Sequence, residues 1–441
     1  MFYIIADDLT GANDTGVQFS KKGYNAVVSI LEESGNIIIP GEDEIGVLVI
    51  DTETREVADA KIVRQRLSKV LKKLNFSDKD IFYKKIDSTL RGCIGAELEE
   101  MMNFLKKDIC VLTPAFPSHQ RITVGGYLIV NGRPLGLSKY YNGDLKAGDA
   151  SFIPSLLREQ TSLPIARIDF IDVTKGQEVI VKKLNKLYQE GNKIIIVDAA
   201  EEVHLKDILH SIVKFEGSVL YAGSAGLANH FPEIDNKNRS FPLNMEKNKG
   251  PVLIVSGSRN PITKSQITHL KEELKLFDLN IDIEEIWSNR KTILKHYLTD
   301  AITVIKNGQH LVIHTDPIYN DKENINNKLM QKYNLSFREL ELTIRKFLGE
   351  LTAEIVRNSS VRNLILTGGD IALGVCFALS IQILNIVDEL LPGIPLSTAN
   401  SKNINLKVIT KAGGFGDKDT LSKLIKKLTD LGGGKGLDPI N

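Results

Sequence analysis

The sequence predicts an α/β protein of two domains, each built on a mostly parallel sheet flanked by helices. Short apolar segments rich in β-branched residues alternate with segments of helical period along most of the chain. The length of 441 residues exceeds what one hydrophobic core ordinarily supports. A polar segment at residues 232–250, rich in Asn and Lys, interrupts the alternation once and is interpreted as a linker.

The first domain is predicted at residues 1–231. Its short continuous apolar runs are typical of strands that are buried on both faces. Such strands are expected at residues 2–6, 26–30, 47–50, 81–86, 109–113, 194–197 and 219–222. Apolar positions spaced three and four residues apart predict helices, most clearly at residues 59–74 and 176–190.

The second domain is predicted at residues 251–431, after the linker and before a Gly-rich flexible tail at residues 432–441. The same patterns are used to place its elements. Strands are expected at residues 252–255, 281–286, 310–314, 364–366 and 406–409. Helices are expected at residues 262–274, 337–357, 372–379 and 419–431.

The composition narrows the classes of partner and the compartment. Lys and Arg number 56 against 55 Asp and Glu, so the net charge of +1 gives no sign of a nucleic acid partner. The 3 cysteines lack metal-ligand spacing and leave one over after any pairing, as expected of reduced thiols in a cytoplasmic protein. No apolar stretch reaches about 18 residues, and the first apolar run is too short for a signal segment. We therefore expect a cytoplasmic protein with no metal ligand cluster and no membrane partner.

An acidic pair, Asp7 and Asp8, follows the first predicted strand in the segment IADDLTGAND. In an open α/β sheet, ligands bind at the carboxyl ends of the strands. Two adjacent carboxylates there can hydrogen-bond a polyol, and one can accept a hydroxyl proton as a general base. The alternative is a solvated turn in which Asp14 caps the next helix.

A denser polar group follows the strand predicted at residues 81–86, in the segment KKIDSTLRG. Arg91 can pair with a substrate carboxylate at two points, and Lys85 can add a point charge. The amides at the start of the following helix would face the same anion. The alternative is a strand–helix connection whose polar groups only cap the helix. Arg55, which follows the strand predicted at residues 47–50, is a weaker signal of the same kind.

A long loop follows the strand predicted at residues 109–113. Pro114 and Pro117 stiffen it, and long ordered loops often carry function. His119 in this loop is interpreted as a surface histidine rather than a catalytic one. The other positions of interest in the loop are Arg121, Gly125, Gly126, Asn131 and Gly132.

Glycine-containing segments follow three predicted strands of the second domain. These segments are Ser256-Gly257-Ser258, Thr367-Gly368-Gly369-Asp370 and Lys411-Ala412-Gly413-Gly414-Phe415-Gly416. Glycine lets backbone N–H groups approach a phosphate without a Cβ in the way. A single such loop is usually a turn, but three in one domain predict a nucleotide site. The chain contains neither G-x-x-x-x-G-K-[ST] nor G-x-G-x-x-G, which disfavours a P-loop ATPase and a simple dinucleotide-binding dehydrogenase.

A series of motifs occurs in order over nearly the whole chain: IADDLTGANDTG, KKIDSTLRG, LTPAFPSHQRITVGGYLIVNGRPL, YAGSAGLA, VSGSRNP, LTGGDIA, LPGIP and ITKAGGFGDKDTL. In these motifs the chain resembles the four-carbon acid sugar kinases, formerly a domain of unknown function. The resemblance implies an N-terminal acid-sugar-binding domain and a C-terminal nucleotide-binding domain, with the active site in the interdomain cleft. It also implies ATP-dependent phosphorylation of the terminal (4-) hydroxyl of threonate, erythronate or an oxo-tetronate, and leaves open which of these acids is used.

The resemblance also implies site residues. Substrate is expected at Asp7, Asp8, Arg55, Lys85, Ile86, Asp87 and Ser88, to which the pattern of charges adds Arg91. ATP is expected at Ser258, Gly368, Gly369, Asp370, Ile371 and Gly413, to which the glycine-containing segments add Ser256 and Gly414. The general base is one of three aspartates, Asp7, Asp8 or Asp87. Mg²⁺ is expected with ATP, because most ATP-dependent transfers need the phosphate charge neutralised.

Three positions depart from the family pattern. Gln120-Arg121 stands where a Gly-Arg pair is frequent, Ile371 where a threonine is usual, and Asn260 where a serine is frequent. The last two departures remove two hydroxyl groups from the expected ATP loops. A non-catalytic sugar-acid sensor that has kept the kinase fold is therefore an alternative function. A dehydrogenase or aldolase acting on similar acids is a further alternative. The expected partners are a small acid sugar and ATP, and a homo-oligomer is left open.

Overall fold

The structure, a computed structural model, describes residues 1–430 apart from positions 33, 42–44, 139, 142–144, 235–249, 259, 275 and 316–321. At Ser288, at residues 322–327 and at Asp430 it describes the backbone alone. The chain divides into two compact units, Met1–Lys237 and Asn238–Asn441. The tail predicted at residues 432–441 and most of the linker predicted at residues 232–250 lie outside the described residues. Within the described part of the chain, no helix combines the length and apolar composition that a membrane crossing requires.

Strands and helices alternate through most of the first unit. Its strands are β1 (Phe2–Ala6), β2 (Ala26–Ile30), β3 (Val47–Asp51), β4 (Ile81–Lys85), β5 (Ile109–Thr113), β6 (Arg121–Val124), β7 (Tyr127–Val130), β8 (Arg133–Pro134), β9 (Ile165–Ile168), β10 (Ile194–Val197) and β11 (Val219–Gly223). Its helices are α1 (Leu9–Lys21), α2 (Ala60–Leu71), α3 (Ile94–Leu105), α4 (Ala147–Ser151), α5 (Ile153–Arg158), α6 (Phe170–Val173), α7 (Gln177–Gln189), α8 (Glu202–Val213) and α9 (Ala225–Ala228). Every strand predicted in this unit is present, and the two predicted helices are α2 and α7.

The main sheet of the first unit is parallel, with the strand order β2-β3-β1-β4-β11-β5-β10-β9. A separate antiparallel sheet contains β6, β7 and β8. β1 lies at a topological switch point, because β3 pairs with one of its edges and β4 with the other. In doubly wound sheets the ligand crevice opens at the carboxyl ends of the strands beside such a point. The order of the strands therefore directs attention to the residues that follow β1, β3 and β4.

The main sheet is covered on both faces, which explains its continuous apolar strands. Ile4 and Ile5 of β1 are both fully buried, although their side chains point to opposite faces. Val63 and Leu67 of α2 pack in one core cluster with Leu48 of β3. Burial of a side chain of this size stabilises the fold by about 1.5–3 kcal/mol.

The second unit repeats the alternation of strands and helices. Its strands are β12 (Val252–Ser256), β13 (Phe277–Asn280), β14 (Leu311–His314), β15 (Asn363–Thr367), β16 (Ile383–Leu391), β17 (Ile394–Ser401) and β18 (Ile404–Lys411). Its helices are α10 (Pro261–Glu273), α11 (Glu285–Ser288), α12 (Arg290–Lys306), α13 (Lys322–Tyr333), α14 (Phe337–Asn358), α15 (Gly369–Ala378) and α16 (Thr420–Asp430).

The sheet of the second unit is mostly parallel, with the strand order β13-β14-β12-β15-β18-β17-β16. Only the pairings of β16 with β17 and of β17 with β18 are antiparallel among the described strands of this unit. β12 lies between β14 and β15, as β1 lies between β3 and β4 in the first unit. The first four strands of each unit therefore have the same winding order, with a switch point at the first strand.

The strand predicted at residues 281–286 is wrong, because β13 ends at Asn280 and α11 begins at Glu285. Isoleucines alternate with acidic residues in this segment, and that period of two is typical of a strand. The carboxylate of Asp282 instead accepts a hydrogen bond from the N–H of Glu284 at 2.8 Å, which turns the chain. The three isoleucines lie in this turn and in the short helix after it, and all three are buried.

Candidate active site

Three segments leave the sheet of the first unit side by side. Ala6 at the end of β1 is in register with Asp51 of β3 on one side and with Lys85 of β4 on the other. The acid pair follows β1, the segment that carries Arg55 follows β3, and the remainder of KKIDSTLRG follows β4. The strand order therefore brings together residues that are far apart in the sequence.

Arg55 joins the two aspartates of the acid pair. Its Nε donates to Asp7 Oδ2 and its Nη2 to Asp7 Oδ1, both at 2.8 Å. Its Nη1 lies 2.6 Å from Asp8 Oδ2. The side chains of Arg55 and Asp7 are only 11% and 2% exposed, so these charge-assisted bonds are shielded from water. Among the described residues these contacts engage three of the five guanidinium N–H donors, which leaves two for a ligand.

The two aspartates differ in their affinity for a proton. Burial acts to raise the pKa of Asp7, but the charge of Arg55 and its hydrogen bonds outweigh burial and lower that pKa. Burial also raises the pKa of Asp8; Arg55 offsets less of this rise, and the charge of Asp7 adds to it. Asp7 is therefore held as an anion, while Asp8 is the more basic of the two carboxylates.

Asp8 is also the N-cap of α1, because its Oδ1 accepts a hydrogen bond from the N–H of Gly11 at 2.8 Å. This cap replaces the alternative in which Asp14 caps the helix. A Cβ at position 11 would lie 2.6 Å from Asp8 Oδ1 and 2.7 Å from Lys85 Nζ. Glycine is therefore required for the first turn of α1 to approach these two charged groups.

Asp87 is held by cations and a hydroxyl. Its Oδ2 accepts hydrogen bonds from Arg91 Nε at 2.7 Å and from the hydroxyl of Thr89. Burial disfavours the charged carboxyl, but the charges of Arg55 and Arg91 outweigh it and hold the pKa of Asp87 well below its usual range. Asp87 is therefore a poor proton acceptor, and half-exposed Arg91 is paired with it.

The other predicted residues of KKIDSTLRG flank this group. Lys85 is buried, and its Nζ donates to the carbonyl of Ile86 at 2.9 Å. Ile86 is itself buried, and Ser88 is partly exposed. Gly92 has a φ of +94°, and a Cβ there would lie 3.4 Å from the carbonyl oxygen of Arg55. The end of this segment therefore packs closely on the backbone that carries Arg55.

A chain of buried polar side chains, absent from the predicted site, supports the Arg55 segment. Lys84 Nζ lies 2.8 Å from Glu97 Oε1, and the hydroxyl of Thr54 donates to the same oxygen at 2.6 Å. Thr52 Oγ1 lies 2.9 Å from Thr54 Oγ1, and the hydroxyl of Thr52 donates to the carbonyl of Ala6 at 2.8 Å. In the sequence, the position of Lys84 beside Lys85 could have indicated that it belongs to the site. Glu97 lies on α3, where no local motif indicates such a role.

Asp51 is a further buried carboxyl at this edge that was not predicted. Its Oδ1 accepts a hydrogen bond from the N–H of Glu53 at 3.0 Å, and its buried Oδ2 has no hydrogen-bond partner among the described residues. Burial, with the charges of Glu53 and Asp8, raises the pKa of Asp51 well above its usual value. The sequence feature that could have indicated Asp51 is an acidic residue at the end of an otherwise apolar strand.

The loop after β5 is held by Asp198, which follows β10, and by contacts within the loop. Asp198 accepts hydrogen bonds from the N–H groups of Gly125 at 2.6 Å and Gly126 at 3.0 Å, which closes the turn between β6 and β7. The ring of His119 packs on Phe116 with a centroid distance of 4.0 Å. Gly125 and Gly126 therefore stabilise the turn through their N–H groups, and His119 packs against an aromatic side chain.

The second unit places three predicted segments at one edge of its sheet. Ser256, Thr367 and Lys411 are the last residues of β12, β15 and β18, and they are in register with one another. All three side chains are buried. Because the three strands are adjacent and parallel, the glycine-containing segments that follow them leave from the same edge.

The segments that follow β12 and β18 are in direct contact. A Cβ on Gly413 would overlap the hydroxyl of Ser258, so glycine is required for this approach. The hydroxyl of Thr263 donates to the carbonyl of Gly413 at 2.7 Å and lies 3.2 Å from Ser258 Oγ. The predicted residue Gly414 lies beside Asn260, whose Nδ2 would be 3.1 Å from a Cβ on this glycine.

The third segment begins a helix. Gly368 has a φ of +97°, and its N–H donates to the last carbonyl of β18 at 2.8 Å. α15 begins at Gly369, three residues before the predicted start at residue 372, because the left-handed Gly368 acts as its N-cap. Gly369, Asp370 and Ile371 therefore form the first turn, where N–H groups face away from the helix body.

Two departures from the expected pattern have structural parts. Asn260 is the N-cap of α10, and its Oδ1 accepts a hydrogen bond from the N–H of Ile262 at 3.0 Å. Ile371 is buried, and a Cβ on Gly257 would lie 2.6 Å from its Cδ1. The side chains at these positions therefore pack or cap where the family pattern has hydroxyls.

Comparisons with known proteins match both units. The family model described as a sugar-binding N-terminal domain matches residues 2–231, and the one described as a nucleotide-binding C-terminal domain matches residues 253–421. A D-threonate kinase of Salmonella typhimurium is 32% identical, over 97% of this chain and 98% of that protein. A D-erythronate kinase of Heliobacterium modesticaldum is 26% identical, over 94% of each. A 3-oxo-tetronate kinase of Pseudomonas fluorescens is 26% identical, over 96% of each.

Solved structures share the fold. One from Salmonella typhimurium has a TM-score of 0.78 and 22% identity, covering 97% of this chain and 99% of that chain. The Haemophilus influenzae protein HI1011 has a TM-score of 0.72 and 21% identity, covering 97% of this chain and 100% of that chain. At this identity the likeness shows that the chains have the same fold.

Proposed function

The chain belongs to the four-carbon acid sugar kinase family, and we propose that it transfers a phosphoryl group from ATP to the terminal (4-) hydroxyl of a four-carbon acid sugar. Its relatives include kinases of D-threonate, D-erythronate and 3-oxo-tetronate, and the proposed substrate belongs to this class. The single observation that supports the proposal most is the contact of Arg55 with both Asp7 and Asp8 at the switch point of the first unit.

The substrate is proposed to bind with its carboxylate toward Arg55, Lys85 and Ser88. Arg55 keeps two N–H donors beyond those bonded to the acid pair, which suits the two oxygens of a carboxylate. The ammonium group of Lys85 is buried and adds a second positive charge for the carboxylate. Its Nζ is held by a hydrogen bond to the carbonyl of Ile86 at 2.9 Å. The substrate hydroxyls are then proposed to face the carboxylates of Asp7, Asp8 and Asp87, which accept hydrogen bonds from a polyol.

Asp8 is proposed as the general base. Its pKa is raised by burial and by Asp7, whereas Arg55 lowers the pKa of Asp7 and cations hold that of Asp87 low. A base of higher pKa takes a hydroxyl proton more readily. In this step the substrate oxygen attacks the γ-phosphorus, its proton passes to the Asp8 carboxylate, and the bond to the ADP oxygen breaks.

ATP is proposed to lie at the carboxyl edge of the second sheet. The first turn of α15 and the glycines at 413 and 414 offer backbone N–H groups to its phosphates, and Ser258 offers a hydroxyl. The described residues contain no group of three or more His, Cys, Asp or Glu that could hold a metal ion. Mg²⁺ would thus be held mainly by phosphate oxygens and water, as is usual for this ion, and would neutralise phosphate charge. A reaction that consumes ATP also leads us to assign the protein to the cytoplasm.

The test is ADP release with ATP and Mg²⁺ across threonate, erythronate and oxo-tetronates, with the matching neutral tetroses as controls. We expect turnover on at least one acid and a kcat/KM about 100-fold lower on its neutral counterpart, because the charged hydrogen bonds to the carboxylate are lost. Nucleotide binding without turnover on any acid would reject the substrate class, and absence of nucleotide binding would reject the kinase.

A further inference from the structure

Lys411 is a buried lysine without a carboxylate beside it. Its side chain is 1% exposed, and its Nζ donates to the carbonyls of Ala412 at 3.0 Å and Phe415 at 3.2 Å. Within the described residues no carboxylate lies at ion-pair distance from this ammonium group. Buried charges are costly unless they are paired, so this position calls for a partner of opposite charge.

The surroundings of Lys411 contain a buried hydroxyl group without a hydrogen-bond partner among the described residues. Thr367, its register partner on β15, is fully buried, and its hydroxyl has no hydrogen-bond partner among the residues that the structure describes. Gln266 on α10 donates to the carbonyls of Phe415 and Asp417, both at 2.9 Å. Lys411 and Gln266 together therefore hold the carbonyl groups of the loop at residues 412–417 toward the interior.

We propose that Lys411 is the cation of the nucleotide's phosphate site, holding the glycine loop by its carbonyls and supplying the positive charge that the phosphates attract. The inference rests on the proposed function and deepens it. It identifies the positive charge that binds the phosphates as that of Lys411, which precedes Gly413 and Gly414 in the chain. Because Lys411 acts through the loop carbonyls that it holds, it is a positioning residue.

The inference carries a pH dependence. Burial lowers the pKa of Lys411 to about 8, and a bound anion favours the charged form and raises that pKa again. Nucleotide affinity is then fully present below about pH 8 and falls by up to about tenfold per pH unit above it. The other charged or ionisable groups on α10, at the start of α15 and in the loop at residues 412–419 are Lys264, His269, Lys271, Glu272, Glu273, Asp370, Asp417, Lys418 and Asp419. A Lys411→Met variant keeps these groups and removes only the lysine.

Lys407 offers a matched control. It lies on the same strand, four residues earlier and on the same face, at about 13 Å along β18. It is also buried, and burial also lowers its pKa. Its register partner, however, is Asn363 at the amino end of β15, so it lies away from the glycine-containing segments.

The experiment measures the affinity of the full chain for ATP, ADP and adenosine by calorimetry at about pH 7 and about pH 9. Lys411→Met is expected to weaken ATP and ADP binding at least about tenfold, to change adenosine binding little, and to lose the pH dependence. Lys407→Met is expected to bind as the unaltered chain does. Equal losses for adenosine and ATP would reduce Lys411 to a structural residue, and unchanged ATP binding would remove it from the site.

A measurement on the unaltered chain covers the case in which Lys411→Met fails to fold. Calorimetry of ADP binding near pH 8.5, in two buffers of different ionisation enthalpy, is expected to show proton uptake approaching one proton per nucleotide bound, about the change that the shift of one lysine predicts. Binding with no proton uptake would overturn the inference and leave the proposed function intact. No binding by the unaltered chain would reject the proposed function, and the inference with it.

Discussion

Arg55 and Asp7 form a two-point ion pair in which both N···O distances are 2.8 Å. The pair lies at the switch point of the first sheet, and the same guanidinium also reaches Asp8. One side chain therefore fixes an anion, contacts the proposed base and keeps two N–H donors, which are proposed to bind the substrate carboxylate.

Replacement of Arg55 by lysine should lower kcat/KM for the acid sugar by about 100-fold, because an ammonium group cannot bond a carboxylate at two points. Steady-state kinetics with the preferred acid would measure the loss. Arg64→Lys is the control, since Arg64 pairs with Glu99 at 2.8 Å between α2 and α3. Equal activity of the Arg55→Lys variant and the control would remove Arg55 from substrate recognition.

Asp8→Asn should lower kcat by about 10²–10⁴-fold and leave ATP binding intact, because an amide cannot accept the hydroxyl proton. Asp7→Asn should act mainly on KM, since Asp7 holds Arg55 in place. Asp8 works as a base when deprotonated, and its pKa is raised from 3.8. The kcat/KM of the unaltered enzyme, which reports pKa values of the free enzyme, should therefore fall as pH decreases through a value above 3.8. Near-normal turnover of Asp8→Asn would exclude Asp8 as the base.

Gly11→Ala should impair substrate binding without unfolding the chain. The added methyl group would lie 2.6 Å from Asp8 Oδ1 and 2.7 Å from Lys85 Nζ, so both side chains must move. We expect KM for the acid to rise about tenfold, the loss of roughly one charge-assisted hydrogen bond. Gly148→Ala is the matched control, because a Cβ there meets nothing within 4 Å. An unchanged KM in Gly11→Ala would show that the approach of Asp8 and Lys85 is not required.

Glu97→Gln should destabilise the first unit by about 3–5 kcal/mol, because it leaves Lys84 buried without its anion. Urea unfolding followed by circular dichroism would measure the change. The exposed pair of Lys186 and Glu190 provides the comparison, and Glu190→Gln should cost at most about 1 kcal/mol. Similar unfolding curves for the two variants would contradict a supporting role for the buried pair.

The parallel part of the fold was predictable because strands buried on both faces have continuous apolar sequences. β1 and β5 were predicted with the bounds that the structure has. β16 and β17 were not predicted, since β16 contains partly exposed Asp388 and Glu389 and its apolar run is broken. The turn at Asp282 shows the opposite error, in which a period of two arises without a strand.

The local parts of the candidate site were also predictable, because the acid pair and KKIDSTLRG are continuous segments at strand ends. The contacts between them were not. Thr54 and Glu97 are 43 residues apart in the sequence, and their hydrogen bond depends on where α3 packs. The difference between Asp7 and Asp8 likewise depends on the position of Arg55, which only the folded chain defines.

The common winding order of β1–β4 and β12–β15 has an evolutionary consequence. Because the acid sugar is proposed to bind the first unit and ATP the second, acceptor choice and phosphate donation would be encoded in separate stretches of the gene. On the proposed substrate site, substitutions after β1, β3 and β4 would change which acid is used, while the donor half is inherited unchanged. Divergence among relatives that use different acids can thus proceed one half at a time.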